Sequence, residues 1–391
     1  MQVDVKDIIK PFDFEPRTRM VFGAGSIERL GELAIPFGNR VLVISDPGVV
    51  AAGHTQKGIS SLEKAGAKVL LFDGAQENPT TANVESGLAV AKEFRPELII
   101  GLGGGSSMDC AKGINFLYSC GGKIQDYWGV GKATSDLLPM VAIPTTSGTG
   151  SEMQSFALIS DAESHVKMAC GDKRASCKVA ILDPELTLTQ PSQVTALTGI
   201  DAISHALETF VTTKRNSMSS FFSKESWRLL ASNFHQVLTD PNDLDARASM
   251  QLGAAFAGLA IENSMLGASH ALANPLTAEY DTSHGQAVGL MLPHVIRFNA
   301  VEFEELYEEL YDSCNPSNFA DSKGDKKSDL LADAVQQFVR AAGLATQLNE
   351  LGVEREKLGQ LAGEAAKQWT GNFNPRPVDA ESLLGIYEQA F

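Results

Sequence analysis

The chain has 391 residues, 43% apolar and 20% charged, the make-up of a soluble fold too long for one simple core, so two domains are expected. A formal net charge of −16 excludes nucleic acid or an anionic membrane as the main partner, but not a nucleotide held by local backbone amides. Five cysteines with no Cys-x-x-Cys pair suggest reduced thiols, and neither a secretory pattern in Met1–Lys6 nor a run of ~18 apolar residues is present, so a cytoplasmic protein without a membrane partner is expected.

In chain order, Arg19–Gly25 reads as a strand ending in a turn, with Ser26 suited to cap the helix that follows. Arg40–Ser45, Lys68–Phe72 and Leu98–Gly101 are short apolar runs, the pattern of strands buried on both faces of a parallel sheet. Helical stretches at Thr55–Ala65 and Ala82–Phe94 separate them, so an α/β domain with right-handed crossovers is expected. The third strand runs into Gly101-Leu102-Gly103-Gly104-Gly105-Ser106-Ser107, where glycines admit a phosphate close to backbone amides and the next helix offers its positive end. Such a turn alone can be only a tight bend; between a buried strand and a helix it makes a phosphate cradle. It is not a Walker loop, and its spacing departs from the usual Gly-x-Gly-x-x-Gly fingerprint.

Asp46, at the end of the first long strand, suits a ribose-binding acid that would favour NAD over NADP; the alternative is a helix or turn cap. Leu138–Ile143 is a further strand, and the loop Pro144-Thr145-Thr146-Ser147-Gly148-Thr149-Gly150-Ser151-Glu152 behind it is dense in hydroxyls that could bind a cofactor. Phe156–Ile159 and Val179–Leu182 are expected to complete the sheet. Met153 and Phe156 are either substrate walls or core.

After Pro191 the pattern turns helical, at Ser192–Val211, Ser220–Asn233, Ala246–Asn263, His270–Ala278, Gly285–Phe298, Glu302–Tyr311 and Ser328–Ala342, with a final helical series to Phe391 and a charged loop at Asn315–Lys327. Domains of 1–187 and 188–391 are expected. Asp201 and His205 stand four apart and share a helix face, so they can chelate one ion. His270 and His284 would lie roughly 21 Å apart on a straight helix, whereas ligands each sit about 2 Å from their metal. The chain must therefore double back, and Asn274-Pro275 with Tyr280-Asp281-Thr282-Ser283 offers the residues for a bend. One carboxylate and three imidazoles suit a divalent transition metal such as Fe²⁺ or Zn²⁺.

These motifs in this order, together with Asp109, Lys112, Lys167, Leu182-Asp183-Pro184-Glu185-Leu186, Gly199–Glu208 and Asn374-Pro375-Arg376-Pro377, resemble the iron-containing (group III) alcohol dehydrogenase family from about Met20 to Ala390. The resemblance implies an α/β nucleotide-binding domain followed by an all-α metal-binding domain, the fold shared with dehydroquinate synthase. It implies that Asp201, His205, His270 and His284 bind the metal, Fe²⁺ or another divalent ion, and carry the catalysis. It implies NAD held by Gly103, Gly104, Gly105 and Ser106 at the pyrophosphate and Asp46 at the ribose, with Thr145, Thr146, Thr149 and Leu182 along the cofactor. The expected reaction is reversible hydride transfer between a small alcohol or diol and NAD, giving an aldehyde, in a homodimer or larger homo-oligomer. The alternative is a lyase resembling dehydroquinate synthase. Many family members carry a further histidine four residues after the third ligand, where this chain has Asn274, which cannot titrate near neutral pH.

Overall fold

The computed structural model describes residues 11–164, 166–314 and 326–391; the charged stretch beginning at Asn315 lies outside them up to residue 325, as does Met1–Lys6. The chain forms two compact units, Glu15–Gln190 and Pro191–Phe391, the second also taking in the segment through Phe14.

In the first unit the apolar runs become strands β1 (Arg19–Phe22), β2 (Arg40–Ile44), β3 (Lys68–Phe72), β4 (Leu98–Gly103), β6 (Met140–Pro144) and β9 (Val179–Leu182). They form one sheet in the order β1-β9-β6-β4-β2-β3, and every pairing is parallel. Side chains alternate between two cores. Val41, Val43, Ile100, Leu102 and Ile143 pack with α1 (Leu30–Ala34) and α3 (His54–Lys64) on one face. Leu42, Ile44, Ile99 and Ala142 pack with α4 (Thr81–Phe94) and α5 (Gly105–Cys120) on the other. A short helix, α2 (Pro47–Ala51), follows β2. Burial on both faces leaves little room for polar residues in the strands, which is why the sequence reads as continuous apolar runs. From β2 the chain moves outward to β3, then returns to β4 and proceeds the opposite way to β6. The carboxyl ends of β2 and β4 thus flank a topological switch point, where such sheets bind ligands.

Phe156–Ser160 does not join this sheet. It is β7 of a separate three-stranded sheet, antiparallel to β8 (Lys167–Gly171), which pairs in parallel with β5 (Gly129–Val130). Only one face of β7 is covered, with Ala157 and Ile159 buried and Leu158 exposed, so it cannot be an inner strand of the large sheet. Ser26 does not cap a helix either: its hydroxyl donates back to the Gly23 carbonyl. The turn after β1 is held instead by Asp183, whose carboxylate accepts the Gly25 and Ile27 amides.

The second unit is helical: α6 (Ser192–Val211), α7 (Ser217–Thr239), α8 (Leu244–Glu262), α9 (Ala268–Tyr280), α10 (His284–Ser313), α11 (Lys327–Ala341), α12 (Leu358–Ala365) and α13 (Ala380–Ala390). One core gathers α6, α7, α8 and α11 around Trp227 and Phe234; another gathers α9, α12 and α13 around Leu276 and Tyr387; α10 contributes to both. The two helices expected at Gly285–Phe298 and Glu302–Tyr311 meet at a kink within the α10 span, where Phe303 leaves helical geometry (φ −131°, ψ 39°) beside the break the sequence suggests. Asn274-Pro275 does not reverse the chain; Pro275 lies buried inside α9, which continues through it to Tyr280. The reversal falls entirely on Asp281–Ser283, where Asp281 takes the left-handed conformation (φ 51°) that Asp tolerates. Among the described residues, no helix is long and apolar enough to cross a membrane.

Candidate active site

At the switch point of the first unit, Gly103 has φ +154°, and a Cβ there would lie 2.5 Å from Ser107 Oγ. A Cβ on Gly105 would lie 2.5 Å from Thr149 Oγ1, and one on Gly104 would be 3.4 Å from Thr146 Cγ2. The glycines therefore let the hydroxyl loop after β6 close over the turn, fastened by the Thr145 amide donating to the Gly103 carbonyl at 2.9 Å. No side chain caps the first turn of α5, and Gly104 and Ser106 are partly exposed, so its amides are open to an anion.

Ile44 pairs with Gly101, which puts Asp46 beside Gly103. Its Oδ1 accepts the Val49 amide at 3.0 Å, capping α2, and its Oδ2 accepts the Ser107 hydroxyl at 3.0 Å. Both features weighed for Asp46 meet here: a cap, and an acid at the cradle's edge. Leu182 is fully buried, and its carbonyl accepts the Gly23 amide. Met153 is buried, and the Phe156 ring lies against Gly171, so both are packed against their own unit.

Behind the loop sits a buried ionic group whose position the sequence did not suggest. Lys112 Nζ donates to the carbonyls of Ser151, Gln154 and Phe156 at 2.7–2.9 Å and to Ser151 Oγ at 2.9 Å. Ser151 in turn donates to Asp109 Oδ1 at 2.7 Å. Asp109 and Lys112, one turn apart on α5, thus tie the loop to the helix that carries the glycine turn. Glu152 is buried with them, and burial, only partly offset by Lys112, pushes its carboxyl up to about 7.

The second unit holds the four proposed ligands together. One face of α6 is apolar core, with Ile200, Ile203, Ala206, Leu207 and Phe210 buried; Asp201, His205 and Glu208, at spacings of four and three, lie along another. Glycines let the neighbouring helix close in. A Cβ on Gly285 would collide with the Leu197 carbonyl, and one on Gly289 with Ile200 Cγ2. The start of α10, carrying His284, is thereby pressed onto α6 one turn before Asp201.

Asp201 Oδ1 lies 3.3 Å from His205 Nε2, 3.7 Å from His270 Nε2 and 3.7 Å from His284 Nε2. The His205 and His270 rings stack with centroids 4.9 Å apart, and those of His270 and His284 are 5.3 Å apart. Donor atoms at about 2.1 Å from one tetrahedral ion lie ~3.4 Å from each other, close to the spacing around Asp201 Oδ1; one donor atom each from Asp201, His270 and His284 lie within 4.8 Å of one another, a group that does not take in His205. The polar inventory agrees. Asp201 Oδ1 and His270 Nε2 are buried and make no hydrogen bond, an arrangement costly unless a cation satisfies them. Burial alone would raise the Asp201 carboxyl, but the imidazoles of His205, His270 and His284 outweigh it and hold it well below the usual carboxylate range. Burial pulls the His270 imidazole down, yet Glu208 and Asp201 bring it up to about 9. The acid thus demands positive charge at the cluster's centre, which a divalent ion supplies. His284, 29% exposed against 5–8% for the other three, marks the side on which the cluster meets solvent.

Two contacts around these residues were not foreseen. Glu208 bonds His270 Nδ1 through Oε2 and accepts the Ser269 amide through Oε1 at 2.6 Å; its place seven residues after Asp201 on one helix face was the available signal. Asn274, one turn beyond His270, donates to Gln368 Oε1 at 2.9 Å, a contact across 94 residues that no local pattern announces.

A parallel sheet with a glycine cradle at its switch point, joined in one chain to a helical unit with an Asp-His₃ cluster, defines a two-unit protein built for a nucleotide and a metal. Models of the iron-containing alcohol dehydrogenase family match both parts, the N-terminal one over residues 16–184 and the C-terminal one over residues 195–391. The chain is 32% identical over 383 residues to a 1,3-propanediol dehydrogenase of Klebsiella pneumoniae, covering 97% of this chain and 99% of that one. It is 30% identical over 371 residues to an NAD-dependent methanol dehydrogenase of Bacillus methanolicus, covering 95% and 97%. The fold matches the crystal structure of a 1,3-propanediol oxidoreductase with a TM-score of 0.92 at 31% identity, over 98% of this chain and all of that one. It also matches a sulfoacetaldehyde reductase from Bifidobacterium kashiwanohense in complex with NAD⁺, with a TM-score of 0.86 at 25% identity over 97% and 99%. This chain belongs to the iron-containing alcohol dehydrogenase family, a family of oxidoreductases.

Proposed function

We propose that the protein is an NAD-dependent dehydrogenase of small primary alcohols or diols that moves hydride reversibly between the alcohol carbon and NAD, giving the aldehyde. The observation that carries this reading is the cluster of Asp201 Oδ1 with three imidazole nitrogens 3.3–3.7 Å away, two of its buried atoms lacking any hydrogen bond. Asp201, His205, His270 and His284 would hold a divalent cation, Fe²⁺ in keeping with the family's name, or Zn²⁺. Bound there, such an ion supplies Lewis acidity to an alcohol or aldehyde oxygen. NAD supplies the hydride acceptor.

The remaining work falls to the chain. The amides at Gly103–Ser106 and the start of α5 bind pyrophosphate, Asp46 takes the ribose hydroxyls, and Thr145, Thr146 and Thr149 offer hydroxyls along the cofactor. Asp109 and Lys112 keep that loop in place from behind. Asn274, held by Gln368, can donate or accept a hydrogen bond but cannot take up the alcohol proton, so the proton leaves by water or a ribose hydroxyl. The relatives named for propanediol and methanol support a small, unbranched substrate.

The test is metal analysis of anaerobically purified protein together with NADH absorbance on a panel of small alcohols and diols. His270→Ala should lose most of the turnover and most of the metal while still binding NAD. Unchanged turnover with unchanged metal content would remove His270 from the site.

A further inference from the structure

The start of α9, which carries His270, has no cap of its own: Gly267 precedes it without a side chain. Its first amides are taken by two side chains distant in sequence. Glu208 Oε1 accepts the Ser269 amide at 2.6 Å, and Asn374 Oδ1 accepts the Ala268 amide at 3.3 Å. The fit at 267 is close, since a Cβ there would lie 3.1 Å from Asn374 Oδ1 and 3.2 Å from Glu208 Oε1 and would press on both. Asn374 is itself fixed, donating to Asn299 Oδ1 and to the Arg376 carbonyl, each at 2.7 Å, and accepting from Asn299 Nδ2 at 3.1 Å. All of these side chains except Arg376 are buried.

The second oxygen of Glu208 does something a cap does not require. It bonds His270 Nδ1, while His270 Nε2 points to Asp201 Oδ1. A carboxylate facing a helix N-terminus is stabilised as an anion and only accepts hydrogen bonds. The proton between the two groups therefore belongs to Nδ1, so the proton a cation displaces is the one on Nε2, and the lone pair it frees is directed at the cluster. We infer that Glu208 is a positioning residue for the metal: it selects the His270 tautomer whose Nε2 can ligate and, with Asn374, holds the helix start that aims the ring. This rests on the metal reading of Asp201, His205, His270 and His284.

Glu208→Gln separates this role from a structural one. The amide keeps the volume and can still accept from Ser269, but it then donates to Nδ1 and forces the His270 proton onto Nε2. Turned the other way, it sets two donors against each other at Ser269. Zn²⁺ affinity, measured by competition with a chromophoric chelator, should fall about 10- to 100-fold. A Co²⁺-loaded sample should show a shifted d–d spectrum, and the thermal midpoint of the metal-free protein should stay near that of wild type. Unchanged Zn²⁺ affinity in folded Glu208→Gln would overturn the inference and leave the metal reading standing. Wild-type protein that takes up no Zn²⁺ would remove both. Should the variant fail to fold, nitrogen NMR of Zn²⁺-loaded wild type decides: His270 is expected to carry its proton on Nδ1 and ligate through Nε2, and ligation through Nδ1 would overturn the assignment.

Discussion

Asp46 is one side chain with two claims on it. It caps α2 through Oδ1, and it stands beside the glycine cradle, where a negative charge would repel a 2′-phosphate. Replacing it with glycine would remove both properties together. Asp46→Ser keeps a capping oxygen and discards only the charge. The ratio of kcat/KM for NAD to that for NADP should fall by at least tenfold in this variant, with little change in the melting temperature. A ratio that does not move would show that Asp46 is a cap alone. Glu152 makes a different prediction. Its carboxyl is raised by burial from 4.5 to about 7 in the folded chain, so the folded state holds the proton more tightly than the unfolded one between those values. The contribution of Glu152 to stability is therefore full below pH 4.5 and declines as pH rises to about 7, by ~3 kcal/mol. Glu152→Gln should flatten that slope in urea midpoints measured from pH 4.5 to 7.5; an unaltered slope would place its origin elsewhere. At this scale the pairing of Asp201 with His205 was legible because the two share a helix face. Glu208 was partly so, being on the same helix. Asn374, Asn299 and Gln368 were not, because their partners lie 75 to 106 residues away and hydrogen bonds at that range leave no periodicity in the chain.

Elements were readable in proportion to how completely one environment shaped them. Strands β2, β4, β6 and β9 are buried on both faces, so selection for apolar residues acts on every position and the run is visible. The Lys167–Gly171 strand escaped notice: Lys167 is exposed, it ends in glycine, and one of its two partners, Gly129–Val130, lies far back in the chain. The assignment of Phe156–Ser160 to the large sheet failed for a related reason, since strand character is local but sheet membership is decided by packing. The helices show the same division. Ser192–Val211 was read to its true ends, whereas the reversal that Pro275 suggested falls after the helix has run on to Tyr280. Lys112 illustrates what spacing alone withholds. Its motif was evident, but that its ammonium binds three carbonyls of a segment about forty residues away required the fold.

For the molecule as a whole, the cluster's donors all come from the helical unit, from α6, α9 and α10. Binding energy at the cluster should therefore appear as stability of that unit. Zn²⁺ held at a thousand times its dissociation constant is worth ~4 kcal/mol. Trp227 is fully buried in this unit, its indole donating to the Leu310 carbonyl at 2.9 Å, so its fluorescence can report the unfolding. Excess chelator should lower the denaturant midpoint read this way, and added Zn²⁺ should restore it. A midpoint indifferent to both would mean that the cluster binds no ion.

The reversal at Asp281–Ser283 sets a strict count. Surface connections between helices ordinarily absorb an inserted residue at small cost. Here His284 is the first residue of its helix, so lengthening the link by one within the helical frame would swing the imidazole about 100° around the axis. The hinge between the third and fourth ligands is thus a ruler, and its length should be as intolerant of change as the histidines it separates.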